Sequence, residues 1–190
     1  MDIVGIVKDA PLSDLVIFGA LILAVIVGTM QGAIRRLLGI ISIGFAFLAS
    51  ANLRDPVGDF LSKYWTQFPI GYTKMLTFGI TFVVLTVGLS IVIQGFYKKT
   101  ELYAGRPIVD EALGGLLGFL EAGMVLCIVV IILDSYVMPP KFVGELDYLR
   151  QAQDIVAQSH ICGWLLDVPV PVIIHVSSFL LPADLVAMFP

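Results

Sequence analysis

Four long apolar segments follow one another along the first 136 residues. Two short polar joints and one longer polar and aromatic loop, 54–74, separate them. The hydrocarbon core of a bilayer is about 30 Å thick, so a helix needs roughly 17–25 apolar residues to cross it. Helices are also the open-ended segments that satisfy all of their backbone hydrogen bonds in lipid. The pattern therefore predicts an all-α integral membrane bundle with four transmembrane helices, at about 13–30, 37–53, 75–97 and 112–133.

The hydrophobic pattern changes after Met138–Lys141. Apolar residues in the stretch that follows recur at helical spacing with charges between them, which is typical of an amphipathic helix lying on a membrane. The next apolar run, 168–182, is too short to span, so we expect it to dock at the outer interface or to plug the bundle mouth. A fifth crossing is the disfavoured alternative. The chain thus divides into a transmembrane bundle, 1–136, and a C-terminal amphipathic, interfacial segment, 137–190.

Composition agrees with a membrane location. The chain is 58% hydrophobic and 14% charged, with a mean hydropathy of +0.98. Soluble domains carry about 25% charged and about 45–50% apolar residues. The net charge of −4 argues against nucleic acid as a partner, because phosphate contacts need concentrated Lys and Arg. The expected partner is the lipid bilayer, with a second copy of the chain or another membrane protein as further candidates.

Basic residues are concentrated in the two short joints between the first and second and between the third and fourth apolar segments. Because Lys and Arg density near span ends sets orientation, both joints are predicted to be cytoplasmic and both termini extracytoplasmic. The two arginines of the first joint mark topology in the simplest interpretation, and contact with anionic lipid headgroups is the alternative. The basic residues of the two joints are Arg35, Arg36, Lys98, Lys99 and Arg106.

The fourth apolar segment carries a stripe of small and acidic residues. Asp110, Gly114, Gly118 and Glu121 are spaced by four, four and three residues, so they lie on one face of a helix. Two glycines four residues apart let another helix backbone approach closely, which is how membrane helices pack. We therefore interpret this stripe as a helix-packing face.

The first segment ends with the same glycine spacing, at Gly28 and Gly32. Such pairs are frequent by chance in glycine-rich membrane segments, so one pair alone is weak evidence. Taken with the fourth segment, the two pairs indicate that the predicted helices pack tightly.

Glu121 lies inside a segment that is otherwise fit to cross the bilayer. Because a charge facing lipid is costly, its side chain should face protein or a wet cavity. One hypothesis makes Glu121 a proton or cation site on a transport path. The favoured hypothesis makes it a hydrogen-bonded packing residue, because a transporter usually shows more buried charge or an internal repeat. The candidate partners on the third helix are Thr77, Thr81, Thr86, Ser90 and Gln94.

Candidate chemistry elsewhere in the chain is weak. His160, Cys162 and His175 fit no standard zinc spacing. No phosphate-binding glycine loop, dinucleotide fingerprint or nucleophile elbow is present in the sequence. We therefore predict a protein that is not an enzyme and that uses no metal or other cofactor.

The order of motifs resembles that of the colicin V production protein family of bacterial inner-membrane proteins. The chain has a short polar start with Asp14, "RRLLGIISIGFAFLAS" follows the first helix, and the third helix ends in "KK". The fourth helix, "VDEALGGLLGFLEAGMVLCIVVIILDSY", carries the most specific part of the likeness, and "SSFLLP" comes near the end. The resemblance implies a multi-pass inner-membrane protein with a role in toxin production or envelope homeostasis.

This chain also departs from the family pattern at three points. It has Gln31-Gly32 where family members often have Arg-Gly, and Asp110-Glu111 where they often have Asp-Arg. It has Glu121-Ala122 where they commonly have an arginine followed by glycine. The resemblance carries over no catalytic residue.

Three hypotheses about function follow. The first is a non-enzymatic membrane protein that assists toxin or protein export, or envelope homeostasis, through helix–helix association on the Gly114/Gly118 face. The second is a small transporter or channel subunit in which Glu121 titrates. The third is a membrane anchor whose tail, from Phe142 onward, docks another protein.

Overall fold

The computed structural model describes residues 11–96, 107–137 and 154–187, and within these ranges the chain is helical apart from turns and short links. A short helical stretch at 154–158 precedes the C-terminal helices. The helices with defined bounds are α1 (Leu12–Gln31), α2 (Ala33–Ser62), α3 (Ile70–Phe96), α4 (Pro107–Val137), α5 (His160–Asp167), α6 (Pro169–Ser177) and α7 (Ala183–Ala187).

Five helical segments in the described residues are long and apolar enough to cross a membrane. They are the four long helices and the segment His160–Ser177, which consists of α5 and α6. The all-α membrane bundle is therefore confirmed. The number of four crossings stays a prediction, because the fifth segment is the one that we expected at the interface.

α2 extends well beyond the predicted span and continues through Pro56 to Ser62. A helix of 30 residues is about 45 Å long, which exceeds the hydrocarbon thickness. Two acids in the extra turns are held by Lys74 of α3, whose Nζ lies 3.0 Å from Asp55 and 3.2 Å from Asp59. This stretch, which the sequence assigns to the loop between the second and third spans, is therefore helical, and the ion-pair cluster joins it to α3.

α4 lies between α1 and α2 and sets their directions. As residue numbers rise along α4, the numbers of the contacted residues on α1 fall, so α1 is antiparallel to α4. The numbers of the contacted residues on α2 rise, so α2 is parallel to α4. α1 and α2 are therefore antiparallel, and the start of α1 lies at the same end of the bundle as the end of α2. The contacts that show this are Gly28 with Gly114, Ala24 with Gly118, Ala33 with Asp110 and Gly39 with Glu121.

The core lies where α2, α3 and α4 meet, around the fully buried Phe78, Ile128 and Ile131. By contrast, α1 and α3 turn broad apolar faces outward. In a soluble protein such surfaces would be an interaction or aggregation site, whereas in a membrane bundle they suit contact with lipid. The outward residues include Val16, Phe18, Ile22 and Ile26 on α1 and Ile80, Val84, Val87 and Ile91 on α3.

The C-terminal helices pack on α4 and on the start of α1. α5 and α6 are separated at Val168, whose φ of −119° lies well away from the α-helical value of about −63°, immediately before Pro169. Their apolar sides are buried, at Cys162 and Leu165 on α5 and Ile174 on α6. The part of the predicted amphipathic stretch that precedes residue 154 lies outside the described residues.

Candidate functional site

The glycines of α4 bring its backbone against that of α1. A Cβ added at Gly114 would lie 2.5 Å from the carbonyl oxygen of Gly28, and one added at Gly118 would lie 2.5 Å from that of Ala24. Real Cβ atoms do not approach backbone so closely. The two glycines of the stripe are thus covered by α1 of the same chain, and this packing leaves no room there for a helix of another protein. The close contact with α1 therefore argues against the hypothesis that the Gly114/Gly118 face joins separate proteins.

The turn between α1 and α2 is held by Asp110 at the beginning of α4. Gly32 has φ +80°, a left-handed conformation that favours glycine, and an added Cβ would lie 2.6 Å from Asp110 Oδ2. The backbone N–H of Ala33 donates to Asp110 Oδ1 at 3.2 Å. A buried carboxylate therefore satisfies one of the open donors at the start of α2 and complements the positive end of its dipole.

Glu121 forms an ion pair with Arg36 of α2. Both side chains are mostly buried, with 13% of Arg36 and 19% of Glu121 exposed. Pairing offsets the cost of holding either charge away from water. Gly39 makes room for the carboxylate, because a Cβ there would lie 2.5 Å from Glu121 Oε1. The partner is thus an arginine that we had interpreted as a topology marker, and not a polar residue of α3.

Two cavities adjoin this ion pair. A cavity of about 220 Å³ is lined mainly by polar and charged residues. An apolar cleft of about 330 Å³ is lined by residues of α1 and α4 and by Arg36. Among the described residues, Nε of Arg36 is buried without a hydrogen-bond partner. The polar cavity is lined by Gln31, Arg35, Arg36, Gly39, Ser90, Ile93 and Glu121. Lys98 and Lys99, which we grouped with these arginines, lie outside the described residues.

A second polar cluster joins the opposite end of α1 to the C-terminal helices. The carboxylate of Asp14 is buried and accepts hydrogen bonds from the Ser159 hydroxyl and from the backbone N–H of His160 at 3.2 Å. The Ser159 oxygen in turn accepts from the Cys162 N–H at 3.0 Å, which caps α5. Sequence reasoning missed this site, although a serine immediately before an apolar run is a helix-start signal.

Arg54 anchors the end of the chain to α2. Its side chain is only 2% exposed, and it forms ion pairs with Asp55 and with Asp184 of α7. Nearby, the Asn52 amide donates to the backbone oxygen of Leu180 at 2.9 Å. The sequence assigns Arg54 to the loop after the second span, whereas the structure places it inside α2, where it is buried and pairs with Asp184.

The described residues contain no group of three His, Cys, Asp or Glu side chains that could hold a metal ion. Cys162 is buried, whereas His160 and His175 are exposed. The arrangement offers two ion-pair clusters and two carboxylate caps. Chemically it can fix helices to one another and hold a charged group at one end of the bundle.

One comparison with known proteins identifies a relationship. The model of the family described as Colicin V production protein matches residues 13–168. This match runs from the start of α1 to the end of α5, and it confirms the resemblance drawn from the sequence. No curated protein and no solved structure matches the chain significantly.

Proposed function

Because the chain belongs to the Colicin V production protein family, we propose that it assists toxin or protein export, or envelope homeostasis, as a non-enzymatic component of the bacterial inner membrane. It is a multi-pass membrane protein with apolar helices that account for most of its described length. In this proposal the bundle is a stable scaffold that associates with other membrane proteins through its outer surface.

One observation carries this proposal: the acidic side chains buried among the described residues are already engaged within the chain. Asp14 caps α5, Asp110 caps α2, and Glu121 pairs with Arg36. Among the described residues, the outward apolar surface remains available to partners, and α1 and α3 contribute broad faces to it. Helix association in lipid depends on packing and on a few polar contacts, so such surfaces suit contact with other transmembrane helices.

The contacts of the C-terminal segment support four crossings with both termini on one side. α5 begins beside Asp14, and Asp184 of α7 pairs with Arg54 near the end of α2. Both anchor points lie at the same end of the bundle, since α1 and α2 are antiparallel. A segment that begins and ends at the same end of the bundle can be accommodated without crossing the membrane. In the proposed orientation this end is extracytoplasmic and Arg35 and Arg36 face the cytoplasm.

The experiment is a site-specific photocrosslink in native membranes combined with deletion of the gene. A photoreactive residue at Val84, which faces outward on α3, should capture another membrane protein, whereas one at the fully buried Phe78 should not. Deletion should reduce the toxin or protein released to the medium or make the envelope leaky. Unchanged export and envelope integrity, together with no Val84 adduct, would refute the proposal.

A second candidate is a small transporter or channel subunit in which Glu121 titrates. The observation that favours it is that Glu121 lines both cavities beside the ion pair. In proteoliposomes, Glu121→Gln should then abolish ion or solute flux while the bundle stays folded. Flux that survives this substitution in transporting proteoliposomes excludes a titrating role, and Glu111→Gln at the exposed start of α4 is the matched control.

A further inference from the structure

The two cavities beside Arg36 differ in character and share two lining side chains. The larger one is an apolar cleft with α4 as its floor and α1 as its wall. Arg36 and Glu121 line both spaces, so the polar cavity adjoins the apolar cleft. α1 and α2 pack little on each other, which leaves the cleft unfilled by protein. Its apolar lining comes from Ala20, Leu21, Ala24, Ala122, Val125 and Leu126.

The polar cavity lies close to the ends of three long helices. Arg35 and Arg36 belong to the first turn of α2, Gln31 is the last residue of α1, and Ser90 lies in the last two turns of α3. When these helices span a bilayer, their ends lie at the depth where lipid phosphates meet acyl chains. The apolar cleft extends from there toward the bundle centre along α4.

The positive charge of the polar cavity is incompletely matched by the described residues. Glu121 accepts a hydrogen bond from one terminal nitrogen of Arg36. Nε of the same guanidinium is buried without a hydrogen-bond partner among the described residues. Among the residues that the structure describes, Arg35 forms no ion pair. Among the residues that line the polar cavity, two arginines against one glutamate leave a net positive charge. Guanidinium groups are suited to phosphate because they offer several donors in one plane.

We propose that one anionic phospholipid occupies this site, with its phosphate on Arg35 and Arg36 and an acyl chain in the cleft between α1 and α4. The phosphate supplies an anionic partner for the two guanidinium groups that line the polar cavity, and the acyl chain fills a cleft that no side chain occupies. Inorganic phosphate would satisfy only the arginines, whereas a phospholipid matches both compartments. This inference concerns a ligand and holds whichever proposed function is correct.

The test is lipid retention by the full chain, purified in mild detergent and analysed by native mass spectrometry. The probes are phosphatidylglycerol and phosphatidylcholine with identical acyl chains. One phosphatidylglycerol per chain should be retained, and Arg35→Gln should weaken its retention about tenfold, the usual effect of losing a charge-assisted hydrogen bond. Lys63→Gln removes the same charge from an exposed position beyond α2 and should change nothing. Equal retention of both lipids, or equal effects of both substitutions, would overturn the proposal.

A second variant tests the apolar half of the site. Ala122→Leu fills the cleft and should lower phosphatidylglycerol retention, whereas Ala112→Leu, on an exposed part of α4, should not. Circular dichroism establishes that each variant is folded, and a misfolded Arg35→Gln is replaced by Arg35→Lys, which should weaken retention less. If millimolar inorganic phosphate displaces the lipid and Ala122→Leu has no effect, the site takes a free anion and the lipid proposal is wrong.

Discussion

The α1–α4 interface is built from backbone, whereas the α2–α3 interface is built from large side chains and charges. In the first, Gly114 and Gly118 lie against carbonyl groups of α1. In the second, the rings of Phe47 and Phe78 lie 6.1 Å apart, and Lys74 joins α3 to acids of α2. Lipid is as apolar as these side chains, so helices gain stability from close contact and not from leaving water. The chain obtains close contact by removing side chains in one place and by interlocking them in the other.

The largest effect is expected from adding a side chain to the backbone interface. Gly118→Leu should lower the free energy of unfolding by about 3 kcal/mol or more, because the new side chain meets the α1 backbone, which cannot yield as a flexible side chain would. Unfolding in detergent under increasing dodecyl sulfate measures this loss. Gly123→Leu is the matched control, since an added Cβ there meets no described atom within 4 Å. Similar losses in both variants would mean that α1 and α4 are not in backbone contact.

The side-chain interface should respond to removal instead. Phe78→Ala should lower the free energy of unfolding by about 3 kcal/mol, at the lower end of the range for soluble cores because lipid removes the water-transfer contribution. The same dodecyl sulfate titration applies. Val84→Ala, on the outward face of the same helix, should cost less than about 0.5 kcal/mol. A small effect at Phe78 would indicate that lipid or neighbouring side chains fill the cavity.

The ion pair between α2 and α4 should show coupling. Glu121→Gln leaves Arg36 unpaired in a mostly buried position and should lower the free energy of unfolding by about 2 kcal/mol. Adding Arg36→Gln removes the stranded charge and should restore part of this loss. A double-mutant cycle measures the coupling, and strictly additive losses would show that the two side chains do not interact.

The smallest effect is expected at the turn that connects the two interfaces. Asp110→Ala removes the acceptor for the Ala33 N–H and should lower the free energy of unfolding by about 1 kcal/mol. Glu111→Ala changes the adjacent acid, which is exposed, and should be nearly neutral. Thermal unfolding of both variants in the same detergent gives the comparison, and equal midpoints would show that the cap contributes nothing measurable.

The stripe on α4 shows how far sequence reasoning reaches. Spacing correctly puts Asp110, Gly114, Gly118 and Glu121 near one face of one helix, since helical periodicity is a local property. The structure gives these residues different neighbours, with the glycines on α1 and the two acids on α2. Helical spacing says nothing about which helix lies opposite, so the partner of Glu121 was predicted wrongly.

The C-terminal segment marks the limit of the same reasoning. A proline-bounded apolar run is visible in the sequence, yet the bonds that hold it connect residues far apart in the chain. Ser159 meets Asp14 across 145 residues, and Asp184 meets Arg54 across 130. Neither pair has a spacing signature, because long-range polar contacts follow from packing and not from periodicity.

What the sequence determined by itself is the membrane location, the helical class, the existence of the long helices and the family, because hydrophobic length and local motifs suffice for each. Only the tertiary structure decided which helices touch and which charges are buried. α4 meets α1 through glycines, Glu121 meets Arg36, and Arg54 is buried by the C-terminal helix α7. The physical reason is that apolar length acts one segment at a time, whereas packing and charge pairing depend on which segments come together in space.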